Sequence, residues 1–462
     1  MSSAALSRKR RDVDMTEGNT LRHIVNFAIP LLFGNLFQQL YNMVDTWVVG
    51  NYGQGEAFSA VGTVGPIINT LIGFFVGFSS GAGVVISQYY GAKDEEKVSK
   101  AVHTSILMTV ILGVFFTIVG IFMVPFMLDL MNTPDKVKPQ ATEYLTVYFA
   151  GIVGLMIYNI GSGILRAVGD SKRPFYFLVV SAVINTVLDL VFVLCFNMDV
   201  LGVALATIIA QAVSAILVLI TLFRSKNCVK LSFKELKISA AMLGKIVKIG
   251  LPAALQMMIT SFSNVFVQSY INFFEEDFMS GWTAYSKIDQ LLLLPMQSIA
   301  LASTTFVGQN LGKDQVKRAR GGVRTAVILS IVITAVLMIP VMIFAPYLVA
   351  FFNPKEIVIE HGAMLLRLIS PFYVLCCINQ ILAGALRGSG NTRAPMVILL
   401  FSFVFFRQAY LYIVANYISN TQTWIAMAYP AGWLLASATL LIYYHFCDFS
   451  SKVIIPRKEP QE

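Results

Sequence analysis

Charge is what this chain has least of. Only 13% of its 462 residues are Asp, Glu, Lys or Arg, where a soluble chain carries about a quarter. A water-facing surface for a body of this length cannot be built from so few charges. Histidine is also scarce: His23, His103, His361 and His445 stand far apart with no paired spacing. Cys195, Cys228, Cys376, Cys377 and Cys447 are an odd and scattered set without metal-ligand spacing. The adjacent pair Cys376–Cys377 suits helix packing better than redox chemistry. No clustered acid motif, no nucleophile-and-base signature and no GxxxxGK[ST] loop occurs. These absences argue against a membrane-embedded enzyme and against ATP as a driving force. No cleaved signal peptide is expected either, since the basic cluster Arg8–Arg11 is followed by mostly polar residues up to Thr20.

What is abundant is apolar length. The hydrophobic share is 56% and the mean hydropathy +0.71. A helix crossing a bilayer needs ~20 mostly apolar residues. Twelve segments qualify: 24–49, 58–80, 103–128, 140–166, 174–196, 202–223, 245–273, 282–306, 323–350, 358–386, 395–417 and 424–446. They are too long and too evenly apolar for barrel strands, which alternate over ~10 residues. The expected fold class is an all-α integral membrane protein.

The net charge of +9 invites a nucleic-acid reading, but its placement argues otherwise. With the N-terminus inside and the sides alternating, 28 of the 34 Lys and Arg fall in inside segments, and three (Lys136, Lys138 and Lys355) fall outside. That is the positive-inside pattern. It predicts a multi-pass protein of the plasma membrane with both termini cytoplasmic.

The chain also repeats itself. Residues 24–45 align with 246–267, pairing Pro30 with Pro252 and Asn42 with Asn264. SQYYGAKD (87–94) echoes GQNLGKDQ (308–315), pairing Gln88 with Gln309 and Gly91 with Gly312. LRAVGDSKRP (165–174) echoes LRGSGNTRAP (386–395). Six spans per half make the repeats parallel, related by an axis along the membrane normal. The expected organisation is an N-terminal tail over 1–20, an N-lobe over 21–223, a linker over 224–243, a C-lobe over 244–447 and a C-terminal tail over 448–462. Two such bundles flanking a cleft suit a transporter.

The block QQLYNMVDTWVVG, the SQYYGAKD turn, the LRAVGDSKRP loop and their second-half echoes resemble the multidrug and toxic-compound extrusion (MATE) family over about 21–447. The resemblance implies twelve helices in two six-helix lobes. It also implies export of small organic molecules, driven by a Na+ or H+ gradient.

Asp45 is the only side chain in Ile24–Gly50 that is ionised at neutral pH. At 100° per residue, Asn35, Gln38, Gln39, Asn42 and Asp45 share about 120° of one helix face. A polar stripe in a lipid-embedded helix must face protein or water. Asn185 and Asp189 stand i,i+4 in the fifth span, the fourth offers Asn159 and the sixth Thr207. Together with Asp45 these are five oxygen donors, the type a hard cation prefers. In DinF-like members of the family, the resemblance implies, residues at these positions form a cation or proton site within the N-lobe. Na+ at Asp45, Asn159, Asn185, Asp189 and Thr207 is therefore an expectation, with no other cofactor. Asn and Thr also serve as helix-packing donors, the plainer reading of Asn159 and Thr207.

The second half departs from this plan: Val267 stands at the counterpart of Asp45, and Arg407 lies near the counterpart of Asp189. Coupling is thus expected in the N-lobe, although the NorM-like branch also uses C-lobe acids, for which Asp289 is the candidate here. Gln38, Tyr41, Asn42, Asn264, Lys287, Asp289 and Arg407 are cleft candidates. Lys287, Arg367 and Arg407 either select anionic or zwitterionic substrates, pair with Asp289, or reach the membrane interface. Pro30, Pro66, Pro252 and Pro295 can kink their helices, and Gly73–Gly83 suits close helix contact. The expected partners are small organic molecules, cationic or zwitterionic, and the lipid bilayer, with the protein acting as a monomer. A lipid-linked precursor flippase of the same superfamily is the competing reading.

Overall fold

The computed structural model describes residues 13–53, 56–449 and 451–455. The basic cluster Arg8–Arg11 and the pair Arg457 and Lys458 lie outside them. The described residues hold helices and no strand. In chain order the spans are α1 (Thr20–Tyr52), α2 (Ala57–Gly91) and α3 (Glu95–Leu130). Next come α4 (Lys138–Ala150 and Ile152–Ala167, bent by 48°), α5 (Lys172–Cys195) and α6 (Asp199–Phe223). The second half has α7 (Ala240–Ile271), α8 (Glu276–Gly312) and α9 (Val316–Ile343). It ends with α10 (Glu356–Gly388), α11 (Arg393–Ile418) and α12 (Gln422–Phe446). Counting bent α4 once, eleven of these are long and apolar enough to cross a bilayer. The twelfth, α1, has the length, at 33 residues, and its stripe of Asn, Gln and Asp dilutes its hydropathy. Each of the four prolines sits inside a continuous helix.

The repeat is conformational as well as textual. Lys93 and Asp314, 221 residues apart, both adopt left-handed φ, +58° and +59°. Gly169 and Gly390, at the same offset, have φ of +84° and +91°, which glycine adopts without steric cost. The same backbone bonds close both tight turns: Asp94 N–H donates to Tyr89 O and Gln315 N–H to Asn310 O. Identical turns after α2 and α8 make the two halves enter their next helices alike.

Four apolar clusters organise the packing, and their distribution is uneven. Near the face where residues 13–15 and 452–455 lie, Ile246 and Ile249 of α7 pack among α2, α3 and α4 residues such as Val85 and Ile164. Ile24, Phe27 and Leu31 of α1 pack among α8 and α10 residues such as Phe306 and Leu386. Each lobe's first helix therefore starts its course against the opposite lobe. Away from that face, one cluster holds only N-lobe residues and another only C-lobe residues. The lobes come to backbone contact along α2 and α7. A Cβ at Gly77 would strike the backbone of Ala253 and Ala254, and one at Gly81 that of Gly250. The glycines of the 73–83 stretch thus serve close helix approach, the driving term where lipid supplies no hydrophobic preference for association.

Candidate functional site

Asp45 is carried to the N-lobe interior by the polar face of α1. Asn185 and Asp189, one turn apart on α5, point at it. The Asp45 carboxyl faces both the Asp189 carboxyl and the Asn185 amide. Asp189 is wholly buried and Asp45 is 7% exposed, and no Lys or Arg pairs with either among the described residues. Directly after Asp189, α5 widens into a π-helical stretch over Val191–Cys195, a distortion that recurs at functional sites.

These groups lie side by side without the alignment of hydrogen bonds. Asp45 Oδ1, both carboxyl oxygens of Asp189, both amide atoms of Asn185 and Thr207 Oγ1 are buried with no protein partner. Unpaired buried polar atoms are costly and call for an explanation, such as a role in binding. A pair of adjacent carboxylates in a low-dielectric interior does not hold two charges unless a cation joins it. The donor set is all oxygen and amide, the chemistry a hard cation or a proton uses.

Three further side chains complete the pocket. The Tyr144 hydroxyl of α4 is within reach of Thr207 and in the field of Asp45 and Asp189. Tyr148 stacks on Tyr144 at 6.4 Å and reaches toward Gln211. Sequence reasoning passed over all three. Their signal was i,i+4 spacing: Tyr144 with Tyr148, and Thr207 with Gln211. Tyr41 faces inward too, close to Gln38 and Asp45. Asn159 is turned to local bonding, its Nδ2 donating to Leu155 O at 2.9 Å while its own carbonyl accepts from Ser79 Oγ at 2.6 Å. Asn42 is exposed.

The C-lobe carries a charge of the other sign at the equivalent junction. Arg407 of α11 donates through Nη2 to Ser263 Oγ at 3.1 Å and to Asn264 Oδ1 at 2.8 Å, both on α7. Its guanidinium lies 5.0 Å from the Tyr429 ring centroid. First and fifth helices thus meet through two carboxyls in the N-lobe, and in the C-lobe through one guanidinium set against a serine and an asparagine. Val267, the counterpart of Asp45, is buried in the apolar C-lobe cluster. Asp289 accepts from the Tyr373 hydroxyl and lies beside Tyr285. Trp282, Tyr429, Trp433 and Tyr373 form a connected aromatic wall, with successive centroids 5.8, 6.3 and 5.3 Å apart.

Pairing of Lys287 with Asp289 is not what the structure has. Two residues apart on a helix, the side chains point to different sides, and Lys287 is exposed while Asp289 bonds to tyrosine. Arg367 is exposed, with Nε donating to Met342 O at 3.2 Å, and lines an open surface groove of about 680 Å³ with Glu360. No disulfide joins the five cysteines, all of them among the described residues, and Cys376 and Cys377 are buried.

Against known proteins, residues 30–191 and 252–413 match the MatE family, one copy in each half. A probable multidrug resistance protein of Bacillus subtilis, YpnP, is 29% identical over 446 residues, covering 96% of this chain and 99% of its own. The probable multidrug resistance protein NorM of Thermotoga maritima is 24% identical, covering 96% of each. A solved MOP-superfamily transporter from Pyrococcus furiosus superposes with a TM-score of 0.89 at 24% identity, over 94% of this chain and 97% of that one. The last likeness supports the twelve-helix, two-lobe architecture.

Proposed function

This chain belongs to the MatE family of multidrug efflux transporters, and from that premise we propose that it couples export of small organic molecules to an inward Na+ or H+ gradient through Asp45 and Asp189. The observation that carries this reading is the buried acid pair surrounded by unsatisfied oxygen and amide atoms. In one orientation of the lobes the pair takes up a proton or Na+ with Asn185 and Thr207; in the other it releases the ion. Substrate occupies the cleft between the lobes, beside Gln38, Tyr41, Asn42 and the aromatic wall with Asp289. The lobes rock about α1 and α7, whose starting segments are seated in the opposite lobe. The conformation described above is closed on the face where residues 13–15 and 452–455 lie, with a cavity of about 30 Å³ among Ser79, Ser87, Arg166 and Thr304. The Lys and Arg distribution supports a cytoplasmic placement of that face in the plasma membrane. Both lobes come from one chain, which supports a monomer as the working unit.

Purified protein in liposomes, with pH and Na+ gradients imposed separately, tests the coupling. Efflux of a cationic dye should respond to one gradient and be indifferent to the other; indifference to both overturns the proposal. A lipid flippase is disfavoured by the multidrug names of the relatives, and a headgroup-accessibility assay should find no scrambling above empty liposomes.

Arg407 gives a selectivity prediction. Arg407→Met should leave stability within about 1 kcal/mol, because the hydrogen bonds lost to Ser263 and the exposed Asn264 are offset by no longer burying a charge without a counter-ion. The ratio of cationic to anionic substrate transport should rise several-fold. An unchanged ratio would make Arg407 a strut between α7 and α11 only.

A further inference from the structure

The two copies of the glutamine-bearing turn meet at the closed face, and they do so reciprocally. Gln88 of α2 and Gln309 of α8 are 221 residues apart and both are fully buried. Gln88 Nε2 donates to Gly388 O, at the end of α10, at 2.9 Å. Gln309 Nε2 donates to Ala167 O, at the end of α4, at 2.8 Å. Ala167 and Gly388 are themselves 221 residues apart, so the bonds are two-fold equivalents and each crosses between lobes.

The amide oxygens are used with the same symmetry. Gln88 Oε1 accepts from Ile454 N–H of the C-terminal segment at 2.8 Å. Gln309 Oε1 accepts from Met15 N–H of the N-terminal segment at 2.9 Å. Each segment also rests on its own lobe. Val13 N–H donates to Val168 O at 3.1 Å and the Val13 carbonyl abuts Gly169, while the Lys452 carbonyl abuts Gly390. Glycine at both positions leaves no Cβ in the way, and it adopts the left-handed φ found there without steric cost. Met15 O in addition accepts from Asn310 Nδ2 at 3.3 Å and Arg318 Nη2 at 3.1 Å, both of the C-lobe. Beneath the amides, Gly91 sits on the carbonyl of Gln309 and Gly312 on that of Gln88. None of these groups takes part in the coupling site, which lies in the other half of the N-lobe.

We infer that Gln88 and Gln309, with the segments 13–15 and 452–454 strapped over them, form a two-fold latch that holds this face closed and sets how often it opens in the transport cycle. The amide-to-carbonyl bonds of both glutamines join lobes that part on opening, so they count toward the closed state alone, and the bonds from Ile454 and Met15 fix the amides of Gln88 and Gln309 in place. They are positioning residues: they bias the conformation and touch neither ion nor substrate. The inference rests on the alternating-access reading above. Because its test needs no substrate or gradient, its failure is separable from failure of carboxylate coupling.

The experiment measures distances between spin labels on the full chain in liposomes. Cys195, Cys228 and Cys447 are replaced by serine, and labels are placed at Lys100→Cys and Lys317→Cys, exposed positions of the two lobes on this face. The unmodified latch should give one dominant short distance. Gln88→Leu and Gln309→Leu should each raise the separated population about tenfold relative to the closed one, since each leaves a buried carbonyl and N–H unpaired. Together their effects should multiply, because the two amides do not bond each other. Gln88→Glu and Gln309→Glu keep the shape and set a carboxylate oxygen against the carbonyl. They should shift the same population, and they serve where the leucine variants do not fold. An unchanged distance distribution in the glutamate variants overturns the latch. Lowered thermal stability with unchanged distances overturns it too, and would make the pair ordinary packing residues.

Discussion

Asp189→Asn should reduce gradient-driven export at least about 100-fold while the protein remains folded and able to bind substrate. The physical reason is that an amide neither releases a proton nor contributes a charge to a bound cation. The carrier then lacks the two states whose difference a gradient can drive. Structure should survive, since asparagine is isosteric and removes an ionisable group from a wholly buried site rather than adding one. Asp45→Asn should act in the same direction, because the two carboxyls face one another. The measurement is initial efflux rate in liposomes under an imposed gradient, with equilibrium dye binding as the folding control. Full gradient-driven export by either variant would sink the coupling assignment. Thr207→Val makes a graded companion: it removes one buried oxygen and keeps the branched shape. If the ion is Na+, its half-saturating concentration should rise several-fold; an unchanged value would leave Thr207 out of the ion's shell.

Gly81→Val should be strongly disruptive at the lobe boundary. Its first added carbon already falls on the Cα and N of Gly250, and backbone atoms cannot rotate out of the way as side chains do. Overpacking a closed interface costs typically 1–3 kcal/mol, and a helix-to-helix backbone collision belongs at the top of that range. A penalty of about 3 kcal/mol confined to the closed state shifts the lobe equilibrium by roughly a hundredfold. The variant should therefore depopulate the conformation described here and stall export. Gly62→Val in the same helix is the control, since a side chain there meets nothing within 4 Å. Distances between labels on the two lobes check this directly, and equal behaviour of the two variants would refute it.

The prediction at Gly81 and the latch at Gln88 and Gln309 share a cause. Along α2, small residues bring the lobes to backbone contact, and at its end a buried amide makes that contact directional. Hydrogen bonds of this kind contribute modestly to overall stability because water replaces them on opening. Their value is that they belong to one conformation. That is the property required of a gate, as opposed to a core.

How far each feature was legible in the sequence follows from the range of the interaction behind it. Hydropathy and length are properties of contiguous residues, so twelve spans and their order could be read directly; most helices extend several residues beyond the apolar stretches, while α9 stops at Ile343 and a separate short helix, Ala345–Ala350, takes the rest of the 323–350 stretch. The doubling was legible for the same reason, since repeated turns such as those at Lys93 and Asp314 are closed by local bonds. Helical periodicity put Asp45 on the polar face of α1 and stacked Asn185 on Asp189, because both need only the 3.6-residue repeat. Periodicity says which side a residue takes and nothing about what stands opposite. Only packing decided that α1 meets α5 with its acids face to face, and that Tyr144, Tyr148 and Gln211 close the same pocket. Packing likewise turned Asn159 to its own helix, separated Lys287 from Asp289, and set the two glutamines of the repeated turn to bind each other's lobes. Apart from the local bond of Asn159, those contacts join residues from 63 positions apart, as Tyr144 with Thr207, to 300, as Gln88 with Gly388, and their geometry exists only once whole helices have settled against one another.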